Sequence, residues 1–230
     1  ASADAVHNAS TRTALIAGAS GLIGRELLRQ LAEDALYSEV HVLARRPLVQ
    51  AQAMAQAKLH TLIAPLETLS LAPRVNDVYL ALGTTIKQAG SQAAFRAVDL
   101  ELMLRLARLA REAGAQRLAV VSALGADAHS RIFYNRVKGE MEAGIVALGF
   151  ESLVLARPSI LAGDRASLQQ PARPAEALSL KLLGPIAHWL PAGWRPIAAD
   201  VVARAMIRAL RDAKPGVSVL ESARLQELGA

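Results

Sequence analysis

At 230 residues, with 53% hydrophobic and 20% charged side chains, the chain is long and apolar enough for a packed globular core, as one large or two small domains. It has no cysteine, which excludes disulfides and thiol chemistry and fits a reducing compartment; a cytoplasmic location is expected. No apolar run reaches the length of a membrane span. The net charge of +6 sits largely on arginines spread along helical stretches, with only 3% aromatics, so neither nucleic acid nor membrane is an expected partner and an anionic cofactor is.

Residues 1–12 are polar, lack the layout of a signal peptide and are expected as a flexible lead. Thr13–Ala17 is a short apolar strand, followed by Gly18-Ala19-Ser20-Gly21-Leu22-Ile23-Gly24 and then by a helical pattern from Arg25 to Leu31. Strand, glycine turn and helix in this order form the context of a dinucleotide phosphate site: glycines admit the turn, and the helix N-terminus offers unpaired N–H donors to a pyrophosphate. The spacing is G-x-x-G-x-x-G rather than G-x-G-x-x-G. Gly18, Ser20, Gly21, Leu22, Ile23 and Gly24 are therefore the candidate phosphate loop. Glu39–Ala44 is a second strand, and Arg45-Arg46 follow it where an NAD-selecting site carries an acid. A guanidinium suits a ribose 2′-phosphate, so NADP(H) is expected over NAD(H).

Val49–Lys58 is expected to be helical, Leu59–Ile63 a third strand and Asp77–Leu82 a fourth, stopped by Gly83-Thr84-Thr85. Ser91–Ala113 is a long amphipathic helix with Phe95, Val98, Leu102, Leu106 and Leu109 on one face. Arg117–Ser122 is a fifth strand, Ser130–Leu148 a helix and Ser152–Ala156 a sixth strand. Ala162–Pro174 is an irregular loop and Glu176–Leu190 a helix. Asp200–Leu210 is a final packed helix with Asp200 as its N-cap, and Val217–Leu220 a last strand. Trp189 and Trp194 either wall an apolar pocket or, as is expected first, pack a small lobe against the sheet. Alternating strands and helices predict an α/β fold, a Rossmann-type doubly wound parallel sheet with ligands at the carboxyl ends of its strands.

Tyr134 and Lys138 stand four residues apart and share a helix face. A free phenol titrates near pH 10; a nearby ammonium favours the phenolate and makes tyrosine a usable acid or base. Ser122, twelve residues before Tyr134 at the end of the fifth strand, is placed to hydrogen-bond a substrate carbonyl. His129 and His188 lack partners for metal or nucleophile chemistry, and no metal site is expected.

With these motifs in order, the chain resembles the short-chain dehydrogenase/reductase superfamily over residues 13–211, most closely small atypical members similar to the Tat-interacting-protein oxidoreductases. Leu82-Gly83-Thr84-Thr85, Ala94–Asp99, Val121–Ala126, Tyr134–Glu142, Leu155–Ser159 and Arg195-Pro196-Ile197 carry the resemblance. It implies one NAD(P)-binding Rossmann domain over 13–230 with a small C-terminal substrate lobe built mainly from 157–200. It also implies Ser122, Tyr134 and Lys138 as a catalytic triad. Lys138, Leu82, Gly83 and Thr84 would lie at the cofactor ribose, and Arg157 and Pro158 near the nicotinamide. Departures stand beside it. Ala64-Pro65 follow the third strand where many members carry an aspartate for the adenine, only Ser122 is present where others have consecutive serines, and Asp99 occupies a stretch that often supplies an asparagine. Two readings stay open: an NADP(H)-dependent oxidoreductase of a carbonyl/alcohol pair on a small-molecule substrate, or an NADP(H)-binding regulatory or redox-sensing module with little turnover. The two long helices leave a homodimer open.

Overall fold

Parallel strands are covered on both faces and so need unbroken apolar runs, and the central strands of this chain supply them. In the computed structural model, which describes residues 11–49, 51, 57–70, 72–162 and 194–230, β1 (Arg12–Ala17), β4 (Asp77–Leu80), β5 (Arg117–Val121) and β6 (Ser152–Arg157) are almost wholly buried. With β2 (Tyr37–Ala44), β3 (Leu59–Ile63) and β9 (Gly216–Glu221) they form a seven-stranded sheet in the order β3-β2-β1-β4-β5-β6-β9, every pairing parallel. The edge strands β3 and β9 are mostly exposed. A separate two-stranded ribbon pairs β7 (Leu161–Ala162) with β8 (Ile197–Ala198). The sequence expectation of a doubly wound Rossmann-type sheet holds.

Helices cover both faces. On one, α1 (Leu22–Glu33), α6 (Ala199–Arg211) and α7 (Ser222–Gly229) bury Ile23, Leu27, Leu31, Val202, Met206 and Leu225. On the other lie the one-turn α2 (Ile86–Ala89), then α3 (Gln92–Arg96), a π-helical turn (Ala97–Leu102), α4 (Met103–Glu112) and α5 (Phe133–Val146). The π turn adds a residue within the long helix. The buried stripe is therefore Phe95 and Asp99, then Leu102, Met103, Leu106 and Ala110, while the predicted Val98 and Leu109 are only half-buried. The helix expected from Asp200 starts one residue earlier and is not the final one, since α7 follows it. Its N-cap is Ala198, and Asp200 pairs instead with Arg204 at 3.3 Å, one turn along. The expected helix at Val49–Lys58 for the most part, the Ala162–Pro174 loop beyond Ala162, the Glu176–Leu190 helix and Trp189 lie outside the described residues. Trp194 is 65% exposed.

The amino end of the sheet is tied by one buried carboxylate. Asp77 is fully buried; it accepts from Tyr37 Oη at 2.7 Å and from Arg117 Nε at 2.5 Å, and Tyr37 Oη meets Tyr79 Oη at 2.8 Å. Arg12 Nη1 on β1 also lies 3.5 Å from Asp77 Oδ2. A buried charge survives only when paired and hydrogen-bonded, so β1, β2, β4 and β5 are fixed to one another at this end. Burial, and then the Asp77 charge, hold the Tyr37 phenol above the ordinary tyrosine range. Burial does the same to Tyr79. A phenol that keeps its proton in the fold but loses it at about pH 10 when unfolded contributes fully below that pH and loses its contribution above it. Tyr37→Phe should cost about 1–3 kcal/mol in urea unfolding at neutral pH. It should also make the fall in stability above about pH 10 shallower than in the wild type; equal stability and equal alkaline slopes would remove this role.

Candidate functional site

The site begins where β1 turns into α1. Gly18 has φ +96°, and a Cβ there would sit 2.5 Å from the Ala81 backbone at the end of β4. A Cβ on Gly24 would land on the Gly18 carbonyl, deep inside contact distance. Glycines at these positions let the turn, the first turn of α1 and the end of β4 touch backbone to backbone. Gly21 differs: its Cβ would meet Gly18 O at 3.5 Å, an ordinary contact. Gly21 is the N-cap of α1; no side chain caps the helix and no acid stands in its first turn. This leaves the N-terminus suited to an anion.

From this turn a groove of about 460 Å³ runs past Ser20 and Gly21 to Arg45 and Arg46 in one direction and to Leu82, Gly83 and Thr84 in the other. Arg45 and Arg46 are exposed, and among the described residues neither joins an ion pair. A recess of about 60 Å³ beside them is floored by Leu43 and by buried Leu66, which sequence reasoning missed. Its only sequence signal is an apolar residue just after the Ala64-Pro65 that replaces the expected aspartate.

At the other end a cavity of about 150 Å³ holds Leu22, Ile23, Leu82, Gly83, Thr84, Asp99, Ser122, Tyr134, Lys138 and Pro158 on its wall. The three candidate catalytic residues thus share one cavity, and Leu82, Gly83 and Thr84 line both it and the groove. Ser122 is buried at the end of β5, its N–H bonded to Ala156 O on β6 at 2.7 Å, and its Oγ has no hydrogen-bond partner among the described residues. Orphaned buried hydroxyls are costly, and this one faces a cavity where a ligand oxygen would satisfy it. Tyr134 stands in the first turn of α5 with its ring 5.5 Å from that of Phe95.

Lys138 is 3% exposed, and its Nζ lies 2.6 Å from Asp99 Oδ1. Burial pulls the ammonium down, but Tyr134, Asp99 and Glu142 together outweigh it, and its pKa is raised above the ordinary lysine value. The other Asp99 oxygen accepts from Thr84 N–H at 2.9 Å. Asp99 is thus a site residue whose signal was available: it lies four residues after Phe95, on the buried face of an apolar stripe.

Arg157 points elsewhere. It grips Glu142 with Nε at 2.9 Å and Nη2 at 2.6 Å, and Glu221 with Nη1 at 2.9 Å. Its guanidinium joins β6 to α5 and β9, while Pro158 reaches the cavity. Among the described residues there is no cluster of potential metal ligands.

Residues 18–149 match the model of an NAD(P)H-binding family. The chain belongs to that family. It is 35% identical to the mitochondrial protein fmp52 of Emericella nidulans over 201 residues, 84% of each chain. To the mitochondrial protein FMP52 of Eremothecium gossypii it is 31% identical, over 94% of this chain and 96% of the other. Among solved structures, MoeE5 in complex with UDP-glucose and NAD superposes with a TM-score of 0.68 at 17% identity, over 90% of this chain and 75% of that one, a likeness of fold. The mitochondrial names of these relatives overturn the expected cytoplasmic location. Absence of cysteine fits any reducing compartment and carried no power to choose among them.

The contact distances separate the glycines of this family's loop. Gly24→Ala should destabilise the fold by about 1–3 kcal/mol or more, because a backbone carbonyl blocks the new methyl. Gly21→Ala should leave the thermal unfolding midpoint nearly unchanged. Equal midpoints for the two variants would contradict the packing of α1 on the turn.

Proposed function

We propose that this NAD(P)H-binding protein is an NADP(H)-dependent oxidoreductase that interconverts a carbonyl and an alcohol on a small-molecule substrate. The observation that carries the reading is the meeting of Ser122, Tyr134 and Lys138 in one cavity that opens, through Gly83 and Thr84, into the groove of the glycine turn. The residues present fit a dinucleotide: a helix N-terminus with no side-chain cap for the pyrophosphate, backbone-lined floor at Gly18 and Gly83, and exposed arginines for a 2′-phosphate.

When bound, the nicotinamide supplies or accepts the hydride. In the reductive direction the Ser122 hydroxyl donates to the substrate carbonyl oxygen, and Tyr134 Oη gives that oxygen its proton as the carbon is reduced. Lys138 holds a positive charge beside Tyr134 through the proton transfer. The preference for NADP(H) rests on Arg45 and Arg46, whereas MoeE5 is by its name an NAD complex. The mitochondrial names of the fungal relatives indicate the compartment in which to seek the substrate.

Replacing both Arg45 and Arg46 by alanine should weaken NADPH binding at least about tenfold, as for the loss of a charge-assisted contact, and leave NADH nearly unchanged. Titration of the two cofactors against wild type and variant checks this, and equal wild-type affinities for NADPH and NADH would overturn the NADP assignment. Tyr134→Phe should keep cofactor binding while reduction of an accepted carbonyl falls by about two to four orders of magnitude. Full activity or full complementation by Tyr134→Phe, beside a Gly21→Val variant that has lost both, would refute the reductase and leave a dinucleotide-dependent regulator.

A further inference from the structure

Lys138 does not enter the cavity as a lone cation. Its Nζ is 2.6 Å from Asp99 Oδ1, both side chains are almost fully buried, and both line the cavity. The carboxylate is delivered by the π-helical turn at Ala97–Leu102, and its second oxygen holds Thr84 N–H, on the loop where the groove meets the cavity. Glu142, the other carboxylate near Lys138, is gripped by Arg157, which also binds the half-exposed Glu221. The ionisable wall of the cavity among the described residues is thus a neutral pair rather than an isolated ammonium.

We propose that Asp99 is a specificity-determining residue that sets the charge of the nicotinamide end of the site to zero, and thereby its balance between oxidised and reduced cofactor. This rests on the reading that a nicotinamide dinucleotide occupies the groove and cavity. The physical reason is elementary. The oxidised nicotinamide ring carries a positive charge and the reduced ring carries none. An uncompensated buried ammonium beside the ring penalises the oxidised form alone, and a counter-ion at 2.6 Å removes most of that penalty. A neutral site binds both forms, as an enzyme that must pick up one and release the other requires. By the same logic, a neutral cavity offers no net attraction to a carboxylate or phosphate on the substrate. The class of substrate it favours is an uncharged carbonyl compound.

The test is a pair of dissociation constants, NADP⁺ and NADPH, measured by calorimetry on the full chain in mildly acidic buffer, where an unpaired Lys138 keeps its proton. The three proteins are the wild type, Asp99→Asn, and the double variant Asp99→Asn with Lys138→Met. Asparagine keeps an oxygen for Thr84 N–H, and circular dichroism checks that each protein is folded. In Asp99→Asn the ratio of the NADP⁺ constant to the NADPH constant should rise by roughly tenfold, for one buried charge at close range. In the double variant the ratio should return to the wild-type value even if both affinities fall. An unchanged ratio in folded Asp99→Asn overturns the inference. So does a double variant that keeps the raised ratio, since the effect would then be structural rather than due to the Lys138 charge. Failure of the wild type to bind either form removes the dinucleotide reading itself and this inference with it, an outcome plainly different from the other two.

Discussion

Three pieces of backbone touch at one point: the Gly18 turn, the first turn of α1 at Gly24 and the end of β4 at Ala81-Leu82. The rest of the site depends on this contact. No side chain separates these segments, so the helix N-terminus comes down onto the carboxyl ends of the central strands. The strand order gives the point its meaning. The chain moves outward from β1 through β2 to β3 and then returns to place β4 on the other side of β1. Connections diverge there and leave a crevice, the position at which open parallel sheets bind ligands. The groove and the cavity both start from this reversal.

The two ends of the sheet are built on opposite principles. At the amino end, Asp77 draws Tyr37 and Arg117 to itself while Tyr37 reaches Tyr79, so the polar groups of that end are satisfied by one another. At the carboxyl end, the Ser122 hydroxyl is buried without a partner among the described residues and α1 begins without a side-chain cap. Unsatisfied groups weaken a fold, and an open hydroxyl beside the cavity, opposite a paired cluster, is what a binding site demands. The strands need rigidity below to hold open donors above in fixed positions.

What could be read from the sequence was what is local. Apolar runs gave the buried strands, the glycine spacing gave the β1–α1 turn, and Tyr134 with Lys138 gave a shared helix face, since each depends only on near neighbours. What was hidden depends on residues far apart. Arg157 reads as a cation next to Pro158, but its partners Glu142 and Glu221 are visible only after β6, α5 and β9 have packed. Asp99 reads as a polar residue in an amphipathic helix. Its place on the buried face can be read four residues after Phe95, but its partner Lys138 is visible only once α5 has packed alongside. The N-cap at Ala198 rather than Asp200 has the same origin: β8 runs directly into the helix, so strand pairing with β7 fixes the start that capping preference would have placed later.

The distribution of charge follows from these pairings and gives the site a direction. Lys138 is answered by Asp99 and Arg157 by Glu142 and Glu221, so the cations near the cavity are committed to protein carboxylates. Arg45 and Arg46, across the groove, are exposed and join no ion pair among the described residues. Basic composition alone says only that an anion is welcome. Its arrangement says where: the attraction is strongest past the Gly18 turn and fades toward Ser122 and Tyr134. A molecule with phosphates at one end and a reactive ring at the other would be oriented by this arrangement with its phosphates toward the arginines.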